Sequence, residues 1–184
     1  MTRRERILAL GEQGLQLVPA DAYTPAAFFL HFPESCHTGR AAIDEHIDYF
    51  RATGNDLLKI QYEKNYPRQP NIVRPSDWSN VPCFGLDFYE EPLEVITGLV
   101  RETKGEAVVI VTLYSALMFA GQLAGEELLF RHLEEDPQSV AAGLQVITES
   151  MLIFIRACLG AGVDGFYAST QGREAGRLSD PAIF

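Results

Sequence analysis

Two residues with the chemistry of proton transfer, His31 and Glu63, stand where predicted strands end. His31 lies at the end of an aromatic run at residues 25–32 (PAAFFLHF), and Glu63 directly follows the strand-like residues 56–62 (DLLKIQY). A histidine there could meet a carboxylate or donate a proton, and a glutamate at a strand's carboxyl end is placed for a site, so both are candidate catalytic residues. Each also has a plain structural alternative, namely a hydrogen-bonded histidine at a strand edge and a solvated ion pair of Glu63 with Lys64.

Several other residues near predicted strand ends are candidates for substrate binding. Side chains on loops that follow parallel strands are exposed and are held by a rigid scaffold, which favours contact with a ligand. For Tyr114 and Ser115, plain packing is the alternative. The candidates are Tyr62, Tyr114, Ser115, Ser169, Thr170 and Gln171.

The chain is predicted to hold no metal ion by itself. Cys36 and His37 are residue types that bind zinc, but their spacing from His31 matches no zinc motif. The three cysteines, which include Cys83 and Cys158, cannot all pair with one another and form no CxxC motif. Unpaired cysteines are typical of a reducing compartment, which favours the cytoplasm.

Charge and hydropathy argue against nucleic acid and membrane as partners. The net charge of the 184 residues is −10, and basic residues cluster only between residues 3 and 6, whereas a phosphate backbone requires a basic face. The longest apolar stretches, at residues 108–120 and 151–155, are shorter than the roughly 20 residues that span a bilayer. Residues 1–10 do not have the pattern of a signal peptide.

Predicted strands alternate with predicted helices along the sequence. Apolar, β-branched and aromatic runs predict the strands, and apolar residues at helical spacing predict the helices. Thr2 and Glu5 form a capping-box pair before an N-terminal helix, and Gly54 is placed to end another helix. Strands are predicted at residues 25–32, 56–62, 106–112 and 163–170, and helices at residues 39–53, 92–105, 116–132 and 137–159.

This alternation predicts an α/β fold, more narrowly the first half of a (β/α)8 barrel. Strands that are apolar on both faces and joined by helices form parallel sheets. A doubly wound open sheet is the alternative, but no GxGxxG or GxxxxGK[ST] motif follows a strand. We expect one partial domain over residues 1–184, with a helix and lead-in at residues 1–23 and three βα units and a fourth strand at residues 24–184.

The predicted fold also implies a partner. A last helix is predicted to begin at Ser179 or Asp180, and one turn of helix does not sustain itself, so the chain is expected to be part of a larger barrel. Half a barrel exposes two strand edges and its inward-facing side chains. We therefore expect either a homodimer or a complementary half barrel.

Five segments carry a resemblance to a known family. They are TRRERILAL, TPAAFFLHFPES, HIDYFRATGNDLLKIQYE, VVIVTLYSALMFAGQLAG and GAGVDGFYASTQG, in this order. Together they resemble the amino-terminal half of the uroporphyrinogen decarboxylase superfamily, which includes corrinoid-linked and coenzyme M methyltransferases. The resemblance implies a (β/α)8 barrel with its site at the carboxyl ends of the strands, where barrel sites lie in general.

The resemblance also implies roles for individual residues. Glu63 matches the family aspartate that stabilises a cationic pyrrole, and Gln122 aligns near a family tyrosine, with Tyr114 as the nearest phenol. His31 stands where the decarboxylase has an arginine motif that clamps substrate carboxylates, so it is expected to meet a carboxylate. The family's catalytic histidine and the zinc ligands of its methyltransferase branch belong to the second half of the barrel.

The main function implied by the resemblance is cofactor-free decarboxylation of a tetrapyrrole, in which protonation of a pyrrole carbon lets an acetate carboxyl leave as carbon dioxide. The alternative is a corrinoid-dependent or coenzyme M-type methyltransferase, which the missing arginine clamp favours, and a catalytically inactive fragment is the third reading. The substrate would be a tetrapyrrole or corrinoid-type molecule, with no cofactor held by this half and zinc only with ligands from the second half. We expect the isolated chain to be inactive, binding tetrapyrroles weakly and turning over none.

Overall fold

The computed structural model describes residues 1–12 and 23–170. Gln171 and the helix predicted near residue 180 lie outside this part of the chain. The α-helices are α1 (Arg3–Glu12), α2 (Gly39–Thr53), α3 (Glu90–Thr103), α4 (Ala116–Ala124), α5 (Glu126–Glu135) and α6 (Pro137–Ala161). The strands are β1 (Leu57–Ile60), β2 (Val108–Tyr114) and β3 (Gly165–Ser169), and short 3-10 helices lie at Glu34–Cys36 and Pro75–Asn80.

The three strands form a parallel sheet in the order β1, β2, β3. Leu57 pairs with Val108 at the start of the β1–β2 ladder, and Ile60 pairs with Val111 at its end. Between β2 and β3, Asp164 N donates to Val109 O at 2.9 Å near the beginnings of both strands. With helices between successive strands, the protein has an α/β fold, as the sequence pattern predicts.

The first predicted strand is wrong, because residues 25–32 form no strand. Ala26 N donates to the Asp56 carboxylate at 2.9 Å, and the Asn55 side-chain amide bonds both backbone groups of Phe28, at 3.2 and 3.3 Å. Side chains thus satisfy backbone groups that a ladder would otherwise pair. The apolar side chains of this segment that remain exposed are Phe28, Phe29 and Leu30.

The other elements predicted within the described residues form, most of them with shifted boundaries. β1 ends at Ile60, so Glu63 lies three residues beyond the strand rather than at its end. Gly54 ends α2 in the left-handed conformation, with φ of 69°. The helix predicted at residues 116–132 is two helices, because Gly125 adopts φ of 88°, which interrupts the helical backbone between α4 and α5.

The chain folds as two compact units. The first consists of the described residues of Met1–Glu63, Glu90–Thr112 and Ala157–Tyr167, and the second of those of Lys64–Tyr89, Leu113–Arg156 and Ala168–Phe184.

The core of the first unit includes one face of the sheet and two of the helices. Four residues on that face are no more than 2% exposed: Leu58, Ile60, Val109 and Val111. α2 contacts α3, and Ile43 of α2 lies so close over Gly98 of α3 that a Cβ at residue 98 would overlap its Cδ1 atom. Arg4 of α1 forms a two-pronged hydrogen bond with Asp164, at 2.6 and 2.8 Å, which ties the N-terminal helix to the start of β3.

The core of the second unit is rich in aromatic residues. Trp78, in the second 3-10 helix, is fully buried, and its indole nitrogen donates to His132 Nδ1 at 3.1 Å. The indole also lies against the backbone of α6 at Gly143. Tyr66 stacks on Phe119 with ring centroids 4.2 Å apart. These contacts hold the loop between β1 and α3 against α4, α5 and α6.

By length and composition alone, α6 is long and apolar enough to cross a membrane. Its buried residues nevertheless recur every three or four positions on one side of the helix, at Val140, Gly143, Ile147, Ser150 and Phe154. The intervening positions include exposed Glu149 and Arg156. The exposed positions are mixed, because Leu152 and Leu159 are exposed as well. A stripe of buried residues along one side is the pattern of a helix that packs that side against a protein core.

Candidate functional site

The structure brings the two candidate catalytic residues into contact. His31 Nδ1 lies 3.0 Å from Glu63 Oε1 and 3.3 Å from Oε2. The Glu63 side chain is 16% exposed, whereas the His31 side chain is 60% exposed. A ring that donates from Nδ1 to a carboxylate carries its lone pair on Nε2. Glu63 therefore fixes the tautomer of an imidazole whose other nitrogen is accessible.

Contacts on either side of His31 hold its segment in place. Upstream, Asn55 and Asp56 at the start of β1 bond the backbone of this segment. Downstream, Phe32 is buried and packs edge-on against His46 and Tyr49 of α2, with ring centroids 4.7 and 5.8 Å apart. His31 is thus an exposed side chain between two anchored points, which limits where its ring can lie.

Buried polar side chains line one face of the sheet at β1 and β2. The register that pairs Lys59 with Ile110 sets Gln61 beside Thr112, and Thr112 Oγ1 donates to Gln61 Oε1 at 3.3 Å. All three polar residues are less than 9% exposed. Parallel sheets in α/β proteins are usually apolar on both faces. A face with buried lysine, glutamine and threonine is therefore a candidate ligand-binding surface.

Lys59 is a residue of this face that the sequence analysis did not single out. Its Nζ lies 3.6 Å from the centroid of the Phe29 ring and 4.0 Å from that of Tyr167, within the range of cation–π attraction. Burial lowers the pKa of Lys59 below its ordinary value. The sequence does contain one indication of its importance, because a charged side chain is rare inside an apolar strand such as LLKI.

His46 is a second residue that sequence reasoning passed over. It is 5% exposed, its Nδ1–H donates to Ala42 O at 2.7 Å, and its Nε2 accepts from Gln61 N at 3.3 Å. Burial lowers the pKa of His46. The neutral ring therefore acts as a structural bridge between α2 and the end of β1. Its helical spacing from Ile43 and Phe50 could have indicated that it faces inward.

The remaining predicted binding residues of the second unit make internal contacts. Ser115 Oγ accepts from Met118 N at 3.2 Å and caps α4, while Ser115 N donates to Ser169 O at 3.0 Å. Gln122 accepts from Tyr66 N at 2.8 Å. Tyr114 packs edge-on against Phe119, and Thr170 is exposed.

Tyr62, which belongs to the first unit, is only 3% exposed. Substrate contact by Tyr62 and by the candidates of the second unit remains a prediction. Their visible roles are in packing and helix capping.

Zinc, which the methyltransferase reading implies, does not fit the residues seen here. Within residues 1–12 and 23–170, no group of three or more His, Cys, Asp and Glu side chains could hold a metal ion. His37 Nε2 bonds Phe32 O at 2.8 Å, so this ring has a structural partner. Cys158 is buried, and burial raises its pKa to about 12, far from the thiolate that zinc requires.

Comparison with known proteins finds similarity of fold but no similarity of sequence to a family. No protein-family model matches the chain, and no curated protein matches it. A solved structure of a methyltransferase from Methanosarcina mazei is similar over 100% of this chain, with a TM-score of 0.69 and 16% sequence identity. The chain spans 63% of that protein's length. The fold is therefore an α/β fold that corresponds to part of a larger methyltransferase chain.

Proposed function

We propose that this chain supplies the small-molecule site of a methyltransferase built on a (β/α)8 barrel. Its fold similarity to the Methanosarcina mazei methyltransferase supports this. In such a barrel, residues 25–32 would take the place of the first strand without forming its ladder. The observation that carries the proposal is the His31–Glu63 hydrogen bond beyond the carboxyl end of β1, because barrel enzymes place their sites at that end.

His31 is placed to take a proton from the group that accepts the methyl. We propose a corrinoid-bound methyl group as donor and a thiol as acceptor. The sulfur forms the new S–C bond, the methyl leaves the donor without its former bonding electrons, and the S–H proton passes to His31 Nε2. The imidazolium that results still donates from Nδ1 to Glu63, which keeps the ring in position throughout.

Because His31 and Glu63 both lie in this chain, the proposal requires measurable methyl transfer by the chain itself, in contrast to the inactivity that the family resemblance implies. Replacing either member of the pair tests this role. The purified chain, His31→Gln and Glu63→Gln are each incubated anaerobically with methylcobalamin and 2-mercaptoethanol, and the methyl thioether is measured by mass spectrometry. We expect His31→Gln to slow thioether formation by a factor of about 10² to 10⁴, the usual contribution of a general base. Glu63→Gln should also slow it, because the imidazolium loses the anionic partner that orients and stabilises it. The midpoint of thermal unfolding should change little for His31→Gln, because that side chain is 60% exposed.

His37→Gln is the matched control, because it removes an imidazole that bonds the backbone of the same segment but does not contact Glu63. It should keep the rate of the unsubstituted chain. Thioether formation no faster than in a boiled-protein blank, or equally fast in all four proteins, would contradict the proposal.

Decarboxylation is tested in the same preparation. The chain is incubated anaerobically with uroporphyrinogen, and coproporphyrinogen is measured by chromatography after oxidation. We expect none, because His31, rather than a bidentate arginine, stands in the clamp position. Product above the blank would favour the carboxy-lyase reading over methyl transfer.

A further inference from the structure

The stem of Lys59 is buried, whereas its ammonium keeps contact with solvent and has no counter-ion in the part of the chain that the structure describes. The residue is 8% exposed, and no carboxylate or hydrogen-bond acceptor within residues 1–12 and 23–170 contacts its nitrogen. Lysines are almost never buried to this extent unless they are paired. The Glu63 carboxylate, which follows the same strand, bonds His31.

The two aromatic rings account for only part of what this ammonium can bind. An ammonium has three N–H donors, and the faces of Phe29 and Tyr167 can take at most two of them. At least one donor is left for an oxygen. An anionic oxygen makes the stronger bond and also supplies the missing negative charge.

The ammonium is open to a ligand from the solvent side only. A cavity of about 10 Å³ borders Phe29, Lys59 and Gln61, which is room for about one water and not for a ligand. Phe29 and Tyr167 themselves are 47% and 48% exposed. A ligand therefore reaches the nitrogen from the solvent side, past these rings. A carboxylate carries the single negative charge that balances one ammonium, whereas a phosphate carries nearly two.

We propose that Lys59 binds a carboxylate of the small molecule held at this face of the sheet. The two residues then have separate roles: the His31 imidazole accepts a proton, and the Lys59 ammonium binds the ligand through its charge. The inference rests on the proposed function only for the use of this face as a small-molecule site. No methyl donor is needed to test it.

Lysine resonances provide the measurement, because the chain contains three lysines, Lys59, Lys64 and Lys104. In a chain labelled with ¹³C-lysine, the three Cε–Hε signals are followed during titration with sodium acetate, and with acetamide as the neutral isostere. Ring currents from Phe29 and Tyr167 should set the Lys59 signal apart at high field. Lys104 is an internal control, since it already bonds Gly162 O.

We expect acetate to shift the Lys59 signal saturably and several-fold more than the other two, and acetamide to leave it in place. Lys59→Met should remove the responding signal; if that variant does not fold, Lys64→Arg and Lys104→Arg assign it by elimination. An equal response to acetamide, or a response of Lys59 no larger than that of Lys104, would overturn the inference. A larger saturable shift with inorganic phosphate would overturn the assignment to a carboxylate. If acetate binds at Lys59 in a chain without methyl transfer, the inference stands and the proposed function falls.

Discussion

At the scale of single residues, His46 makes folding sensitive to pH. Burial lowers its pKa in the folded chain from the ordinary value of 6.5. Below about pH 6.5, the unfolded chain binds a proton at this residue that the folded chain does not bind. The stability contributed by the neutral ring is therefore complete above this pH and is lost as the pH falls below it.

His46→Gln should separate this titration from the hydrogen bonds that the ring makes. Glutamine can donate to Ala42 O but does not ionise, so we expect a lower free energy of unfolding at neutral pH, by about 1–2 kcal/mol. We also expect the free energy of unfolding of His46→Gln to fall less steeply between about pH 7 and pH 5 than that of the unsubstituted chain. Urea denaturation across this range measures both. Parallel curves for the two proteins would show that His46 does not carry the pH dependence.

At the scale of elements, α6 offers a matched pair of glycines. A Cβ at Gly143 would lie 2.8 to 3.1 Å from Trp78 atoms, including its backbone oxygen, whereas a Cβ at Gly160 would meet nothing within 4 Å. We expect Gly143→Ala to destabilise by about 1–3 kcal/mol through overpacking against an indole that cannot move away. Gly160→Ala should stabilise by about 0.5–1 kcal/mol, because alanine is the better helix former.

Denaturant unfolding of both α6 variants checks the pair. If both substitutions lower the free energy of unfolding, alanine is unfavourable in α6 for a reason other than contact with Trp78.

The elements also show how far the sequence alone could go. The three strands that formed are apolar, β-branched or aromatic runs, and α2 ended at the glycine that its pattern marked. Residues 25–32 make one backbone bond with this region, from Asp56 N to Ala26 O, but the side chains of Asn55 and Asp56, far along the chain, bond Ala26 N and the Phe28 backbone in place of a ladder. Local propensity carries no information about such distant side chains.

The candidate site shows the same limit. His31 and Glu63 could be singled out by type and by their place after predicted strands, and the structure sets them in contact. For Lys59 the sequence offered one sign, its place inside the apolar strand LLKI. Its contacts with Phe29 and Tyr167, which reach it from distant parts of the sequence, are visible only in the structure. The roles of all three residues in binding or catalysis stay predictions.

At the scale of the whole molecule, we expect the chain to self-associate or to bind a complementary half barrel. β1 and β3 are the edge strands of the described sheet, and edge strands expose backbone groups that can pair with another chain. Phe28, next to the start of β1, is 66% exposed. Sedimentation velocity over a range of concentrations should therefore show a dimer.

Phe28→Lys should weaken this dimer, whereas Val73→Lys, which replaces a side chain exposed to a similar 64%, should not. Sedimentation as a monomer at every concentration would refute self-association.

Trp78 gives the second unit an optical reporter of its own. It is the one tryptophan of the chain, fully buried, and bonded to His132. Its fluorescence therefore arises from the second unit, while far-ultraviolet circular dichroism sums the helices of both units. Following the two spectra through one thermal melt would reveal whether the halves of this α/β fold lose their structure together or in sequence, without any added label.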